Sequence, residues 1–411
     1  MQRYDLLYRL YREFDTDAVR EHQDFVDLFP PVDSRVALDY WQDAGDHLTR
    51  LKDEIRDAFD GGDACAEIAA HADREQAFTA LDLHSKYERR VNALVLDVDE
   101  TLRSAGRTDN EIPRETLHLL TQFHERGVPI IICTGQTLEN VKGFMIQGLG
   151  NEIVHSGAFS IVYEAGTGVF TPGHGPDTKR LLYEDLDESI RNVFADVRSR
   201  VLREAPSDLR ESVHLQGNEF NVTLKPNFET GSDAAAGVVD DALVHLLDLL
   251  GDAVADDDRA GDWARAYYAA ADPEIREVLQ ATGSLPDVDA ADVPTVASDL
   301  FDRVDVAYYH ADAAEIGSRE LNKVVGVQTA LEALDVDDPF ALVMGDSKSD
   351  LRVMEWVDAE GCGIAAAPDH ASRDVLDHVR STDELVFDRG DAAAMLRTAH
   401  VLNLLDAAEV D

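Results

Sequence analysis

From Val91 onward the chain falls into an alternation that few architectures accommodate. "NALVLDVDE" is a short apolar run that ends in acids, and "IPRETLHLLTQFHERG" is an amphipathic helix closed by Gly127. "VPIIICTGQ" is a second apolar run, "TLENVKGFMIQGLG" a second helix, and "NEIVHSGA" reads as a third strand. Strand, helix, strand, helix, strand is the signature of a parallel sheet, because parallel neighbours need a crossover and helices supply it. The rhythm resumes late in the chain. "SRELNKVVGVQTALEALD" reads as a helix, "PFALVMGDSKSDLRVMEWV" as strand, acidic loop and helix, "CGIAAAP" and "ELVFD" as last strands, and "DAAAMLRTAHVLNLLDAAE" as a closing helix.

Residues 160–315 interrupt this rhythm. "FSIVYEAGTGVF" reads as a hairpin, and "SVHLQGNEFNVTLKPN" as two strands with a turn at Gly217 and Asn218. "AAAGVVDDALVHLLDLLG" is a helix and "RVDVAYYHAD" another strand, while the Asp- and Ala-rich stretch between them reads as an exposed insertion. Residues 1–90 read as helices, with Leu6, Leu7, Leu10 and Phe14 at helical spacing, a break at "FPPVDSR" and an end at Gly61 and Gly62. The expected fold is α/β: a Rossmann-like parallel sheet core over 91–159 and 316–411. An α+β cap domain is inserted at 160–315, and a helical N-terminal extension covers 1–90.

Composition bears on which acidic residues matter. Asp and Glu make up 82 of the 411 residues, and the net charge is −45. Pairs of acids therefore arise by chance all along the chain. Such charge repels itself at ordinary ionic strength and is screened in molar salt, where the Debye length is about 3 Å, so it suggests a salt-adapted surface of a halophile. The absence of a basic stripe argues against nucleic acid as a partner. No apolar run reaches the ~18 residues of a membrane helix, which argues against a membrane. The N-terminus lacks the apolar centre of a signal peptide. Cys65, Cys133 and Cys362 are scattered and without CxxC spacing, which suggests a reducing compartment. The expected location is the cytoplasm.

Position, and not acidity, singles out a few polar residues. In parallel sheets ligands bind beyond the carboxyl ends of the strands. Asp97 and Asp99 end one predicted strand, Thr134 and Gly135 the next, and Asp346 and Asp350 follow a later one. Lys323 opens a helix just after the interruption, in a chain where lysine is scarce. "DVDET", "CTGQ", "NKVVGV" and "GDSKSD", in this order, resemble the four motifs of the haloacid dehalogenase-like superfamily. The interruption between the second and third is similar to the cap arrangement of its Cof-type and sucrose-phosphatase-like branches. The resemblance covers residues 91–400 and leaves the N-terminal helices outside it.

The resemblance implies an Mg²⁺-dependent phosphatase with an aspartyl-phosphate intermediate. Asp97 is then the nucleophile, and Asp99 is the general acid for the leaving oxygen and afterwards the base for water. Mg²⁺ falls to Asp97, Asp99 and Asp346; phosphate oxygens fall to Thr134, Gly135 and Lys323. Asp350, Ser349 and Thr101 stand behind these groups. Two positions depart from the common pattern: Glu100 stands where many members have Gly, and Ser349 where "GDxxND" has Asn.

The chemistry agrees with this division. A phosphomonoester dianion repels an anionic nucleophile, and Mg²⁺, which prefers oxygen ligands, can bridge the two. The expected substrate is a small phosphorylated metabolite, such as a sugar phosphate, with selectivity from Asn221, Lys225, His214 and His310 of the cap. A phosphomutase or phosphotransferase needs the same motifs and remains the alternative. Two other readings are weighed beside it: an interaction module built on the N-terminal helices, for oligomer or protein contact, and a DxD metal site of a glycosyltransferase, which leaves Thr134, Lys323 and "GDSKSD" without use.

Overall fold

The structure is a computed structural model that describes residues 2–29, 35–104, 111–218 and 220–407. The break expected at "FPPVDSR" lies largely outside them. In chain order the strands are β1 (Ala93–Leu96), β2 (Ile130–Cys133), β3 (Phe159–Tyr163), β4 (Gly168–Phe170), β5 (Lys179–Leu181) and β6 (Val213–Asn218). They continue as β7 (Asn221–Pro226), β8 (Val304–Tyr309), β9 (Ala313–Ser318), β10 (Ala341–Met344), β11 (Gly363–Pro368) and β12 (Leu385–Phe387). The chain forms two compact units, one of residues 1–163, 169–179 and 327–411, the other of 164–168 and 180–326.

The first unit is built on a sheet of order β12-β11-β10-β1-β2-β3-β4-β5, parallel from β12 through β3. Each of β1, β2, β3, β10 and β11 is buried along its whole length. Strands covered on both faces read as continuous apolar runs rather than alternating ones. This is why "ALVL", "IIIC" and "ALVM" are legible in the sequence. The third strand is not "NEIVHSGA". Gly150, at φ 89, ends the preceding helix, Asn151–Val154 form one further helical turn, and the strand is Phe159–Tyr163. Its uninterrupted apolar character reflects burial in the sheet, and it pairs with β4 across the short turn at Glu164–Gly166, as expected of a hairpin over "FSIVYEAGTGVF".

The five N-terminal helices, Gln2–Glu13, Thr16–Leu28, Arg35–Ala58, Gly62–His71 and Arg74–Tyr87, belong to this same unit. Leu7, Leu10, Val19, Ile55 and Ile68 share one apolar core with Leu94, Ile130 and Leu402. Arg397, on the closing helix Ala392–Ala407, is buried. It donates to Asp24 Oδ1 at 2.6 Å, to Glu115 Oε1 at 2.8 Å and to the carbonyl of His71 at 2.8 Å. One guanidinium thus ties three helices, a use for which its planar fork is suited.

The second unit is an antiparallel sheet of order β6-β7-β9-β8. Val222, Leu224, Ala314, Ile316, Val304 and Val306 of its strands join a core with Phe194, Leu243 and Leu246. The Asp- and Ala-rich stretch is exposed at 256–259 and over much of 281–292, but it is mostly helical. It forms helices Ala260–Ala271, Pro273–Ala281 and Thr295–Phe301, which bury Ala264, Tyr268, Ile275, Leu279 and Phe301 in that core. Their buried residues recur at helical spacing, with alanines between the larger side chains. Strand β6 also runs through Gly217 and Asn218, and β7 begins at Asn221, so the expected turn lies beyond those two residues. No helix among the described residues is long and apolar enough to cross a membrane.

Two outcomes follow from the packing of the first unit. Replacing Arg397 by Met strands Asp24 and Glu115; because both are partly exposed, the loss falls short of a fully buried pair, at about 2 kcal/mol by denaturant titration. His71 and His400 are buried with ring centroids 4.8 Å apart, and Arg126 reaches the His400 ring. Burial holds both imidazoles below their usual range, His400 well below it. Above the unfolded value of about 6.5 both states are neutral; below it the unfolded chain takes up protons that the folded one refuses. Stability is thus present above that value and lost as pH falls. Tm should drop between about pH 7.5 and 5.5, and by less in His400→Phe.

Candidate active site

Strand order places the site. From β1 the chain moves to β2 and β3 on one side and later to β10, β11 and β12 on the other. The reversal leaves a crevice at the carboxyl ends of β1 and β10. Register puts Leu96 beside Met344 and Ile132, and the amide of Asp97 donates to the carbonyl of Met344 at 2.9 Å. Asp97 and Asp346 therefore leave two adjacent strands at nearly the same level. Thr134 leaves β2 one strand away, its amide bonded to Val162 O at 2.9 Å.

Asp97 and Asp350 are buried and Asp346 is partly exposed; one carboxylate oxygen from each lies within 4.8 Å of the others. Asp350 reaches this group because helix Lys348–Glu360 starts hard against the strand end. A side chain at Gly345 would place its Cβ 2.3 Å from Cβ of Asp350, so glycine is needed there. Ser347 caps that helix: its hydroxyl and amide both donate to Asp350 Oδ2, at 2.6 and 3.1 Å. Ser349 Oγ lies 2.9 Å from Ser347 Oγ, so the serine at the position of the expected asparagine supports the cap. Ser347 was missed in the sequence, although a serine three residues before an acid at a helix start is a capping signal.

Asp99 is not one of the three grouped carboxylates. The strand ends at Leu96, so the two-residue alternation that would align Asp99 with Asp97 no longer applies. Asp99 is exposed in the following turn. It accepts from Arg103 Nη2 at 2.6 Å and Nε at 3.0 Å, and from Gln136 Nε2 at 2.6 Å. Gln136 follows Thr134 and Gly135, so the ends of β1 and β2 are linked through Asp99. Thr134 is buried, and its hydroxyl accepts from the Gln136 amide at 3.2 Å. Gly135 borders open space in which a side chain would meet nothing within 4 Å. Thr101 is buried, and its hydroxyl has no hydrogen-bond partner among the described residues.

Lys323 is buried at the start of helix Lys323–Ala333, just after Asn322, whose side chain caps the amides of Val324 and Val325. It belongs to the second unit. His214, Asn221, Lys225 and His310 lie there too. Asn221 and Thr223 donate to Glu315 at 2.9 and 2.8 Å, Lys225 pairs with Asp312 at 3.1 Å, and His214 meets Gln216.

Residues 94–166, which run from β1 through Thr134 to the end of β3, match the model of the haloacid dehalogenase-like hydrolase family. No curated protein matches the chain by sequence. Solved structures similar to this chain include trehalose-6-phosphate phosphatase of Aspergillus fumigatus, 13% identical, spanning 80% of this chain and 97% of that one at a TM-score of 0.44. Sucrose-phosphatase of Synechocystis, in complex with sucrose and phosphate, is 13% identical over 77% of this chain and 99% of its own, at 0.42. A Thermoplasma acidophilum protein is 12% identical over 77% and 100%, at 0.43.

Three carboxylates offer the hard oxygen donors that a small divalent cation takes. In a calorimetric titration of the protein with Mg²⁺, Asp346→Asn and Asp350→Asn should each weaken binding at least about tenfold. Asp99→Asn, whose carboxylate is engaged elsewhere, should change it less than about threefold.

Proposed function

We propose that the protein is an Mg²⁺-dependent phosphomonoesterase for a small phosphorylated metabolite, with sugar phosphates as the favoured class, working through an aspartyl-phosphate. The observation that carries this reading is the meeting of Asp97, Asp346 and Asp350 at the carboxyl ends of β1 and β10. Three carboxylates so close repel one another unless a cation or proton intervenes, so the arrangement fits a divalent metal. When bound, Mg²⁺ would offset the charge between a phosphoester dianion and a carboxylate.

Asp97, backbone-anchored at the strand end, is the nucleophile. Its carboxylate oxygen bonds to phosphorus, the bond from phosphorus to the ester oxygen breaks, and Asp99 delivers a proton to the departing alkoxide. Asp99 then takes a proton from water, whose oxygen bonds to phosphorus as the bond to Asp97 breaks and phosphate leaves. Asp99 suits this shuttle by sitting two residues on, at the solvent edge of the crevice, in a turn. Both of its oxygens accept hydrogen bonds from Arg103 and Gln136, so taking its part requires one of those contacts to open. The Thr134 hydroxyl and the Gly135 amide are assigned to phosphate oxygens, with room beside Gly135 for a ligand. Lys323 is assigned to the same oxygens by resemblance alone.

The test is release of inorganic phosphate from a panel of phosphomonoesters with added Mg²⁺, with and without an acceptor sugar. Asp97→Asn should abolish turnover, and Asp99→Asn should lower kcat by about 10²–10⁴-fold. Turnover that persists in Asp97→Asn rejects it as nucleophile. Phosphate that passes to the acceptor rather than to water turns the assignment to a phosphotransferase.

A further inference from the structure

Glu100 follows Asp99 directly and stands in the left-handed region, at φ 57. Glycine adopts that conformation without penalty, whereas a side chain with Cβ meets the following carbonyl. The glutamate there makes side-chain contacts that glycine could not. Three groups gather on the single oxygen Oε2. Ser104 Oγ donates to it at 3.3 Å, Arg389 Nη2 donates at 3.1 Å, and His370 Nε2 lies 3.3 Å away. His370 follows the end of β11 by two residues, and Arg389 follows the end of β12 by two. Glu100 thus reaches across the carboxyl edge of the sheet, fastening the turn after β1 to the end of β12 through Arg389 and approaching the end of β11 at His370.

The same turn is closed from within by the Arg103 amide on Val98 O, at 3.1 Å, and by Arg103 on Asp99. Arg103 in turn covers the Phe144 ring, with Cζ 4.8 Å from its centroid. Asp99 therefore hangs between two anchors: Arg103 with Gln136 on the β2 side, and Glu100 on the β11 and β12 side. An ordinary exposed ion pair would contribute little and would be matched by glycine, which also removes the backbone penalty. Two of the groups that meet on this one oxygen, His370 and Arg389, come from segments remote in sequence, which distinguishes Glu100 from the acidic background of this chain.

We infer that Glu100 is a positioning residue: it fixes the turn that carries Asp99 and so sets where that carboxyl meets the leaving oxygen. The inference rests on the phosphatase reading above. Misplacement of a proton carrier by a fraction of its reach costs rate rather than affinity. Steady-state kinetics of the full chain with Mg²⁺ test it, on the phosphomonoester that the wild-type protein turns over best.

Glu100→Gly should fold, with Tm at or above that of the parent, since it loses the strained conformation. Its kcat should nevertheless fall by at least about tenfold with KM within about twofold. Glu100→Gln keeps an acceptor for Ser104 and Arg389 and should recover part of that loss. Arg389→Met should lower kcat in the same direction, and combining it with Glu100→Gly should add little, as expected for groups that act as one unit. A folded Glu100→Gly with parental kcat overturns the inference while leaving the phosphatase reading intact, and so does a loss confined to KM. Absence of phosphate release by the wild-type protein over the whole panel overturns both.

Discussion

The pairing of β1 with β10 is the constraint on which the rest of the first unit depends. It is made between segments far apart in sequence: Phe340 donates to the side chain of Asn92, 248 residues away, at 2.7 Å. Its last rung is the amide of Asp97 on Met344 O. Bringing such distant segments together costs loop-closure entropy, but that cost grows only with the logarithm of loop length. The second unit folds within the loop on a core of its own, which further reduces the freedom lost when β10 docks. Once β10 lies beside β1, Asp97 and Asp346 emerge as neighbours without any further device.

What the pairing does not supply, local structure does. Gly345 lets a helix start against the strand end, and Ser347 caps that helix while holding Asp350 toward the other two carboxylates. On the other side the chain leaves the sheet after Leu96, and the turn that follows turns Asp99 away from the trio toward Arg103 and Gln136. Two aspartates separated by a single valine thus occupy different surroundings, one buried among carboxylates and one exposed among donors. Different surroundings are what a nucleophile and a proton carrier require of two otherwise identical side chains.

Much of this was legible in the sequence, for identifiable reasons. Strands buried on both faces leave unbroken apolar runs, so β1, β2 and β10 stood out, and their polar endings marked Asp97, Thr134 and Asp346. The same logic misplaced the third strand, because "NEIVHSGA" has apolar residues that in fact close one helical turn beyond Gly150. The helices at 260–301 were hidden by the many aspartates interleaved with their buried residues. The N-terminal helices looked like an appendage, since nothing in a sequence shows that Leu7 and Leu402 will share a core or that Arg397 will bind Asp24. The role of Glu100 was illegible for a similar reason: His370 and Arg389 lie 270 and 289 residues away, and only the fold brings them to it.

The central claim is that Asp97 forms a covalent bond to phosphorus. It is tested most directly by acid-quenching the enzyme during turnover and weighing the peptide that contains Asp97. The account predicts that this peptide gains the mass of one phosphoryl group, on Asp97, and that the gain disappears when substrate is exhausted. Steady phosphate release with Asp97 never phosphorylated, or with the phosphoryl group on another residue, would contradict it.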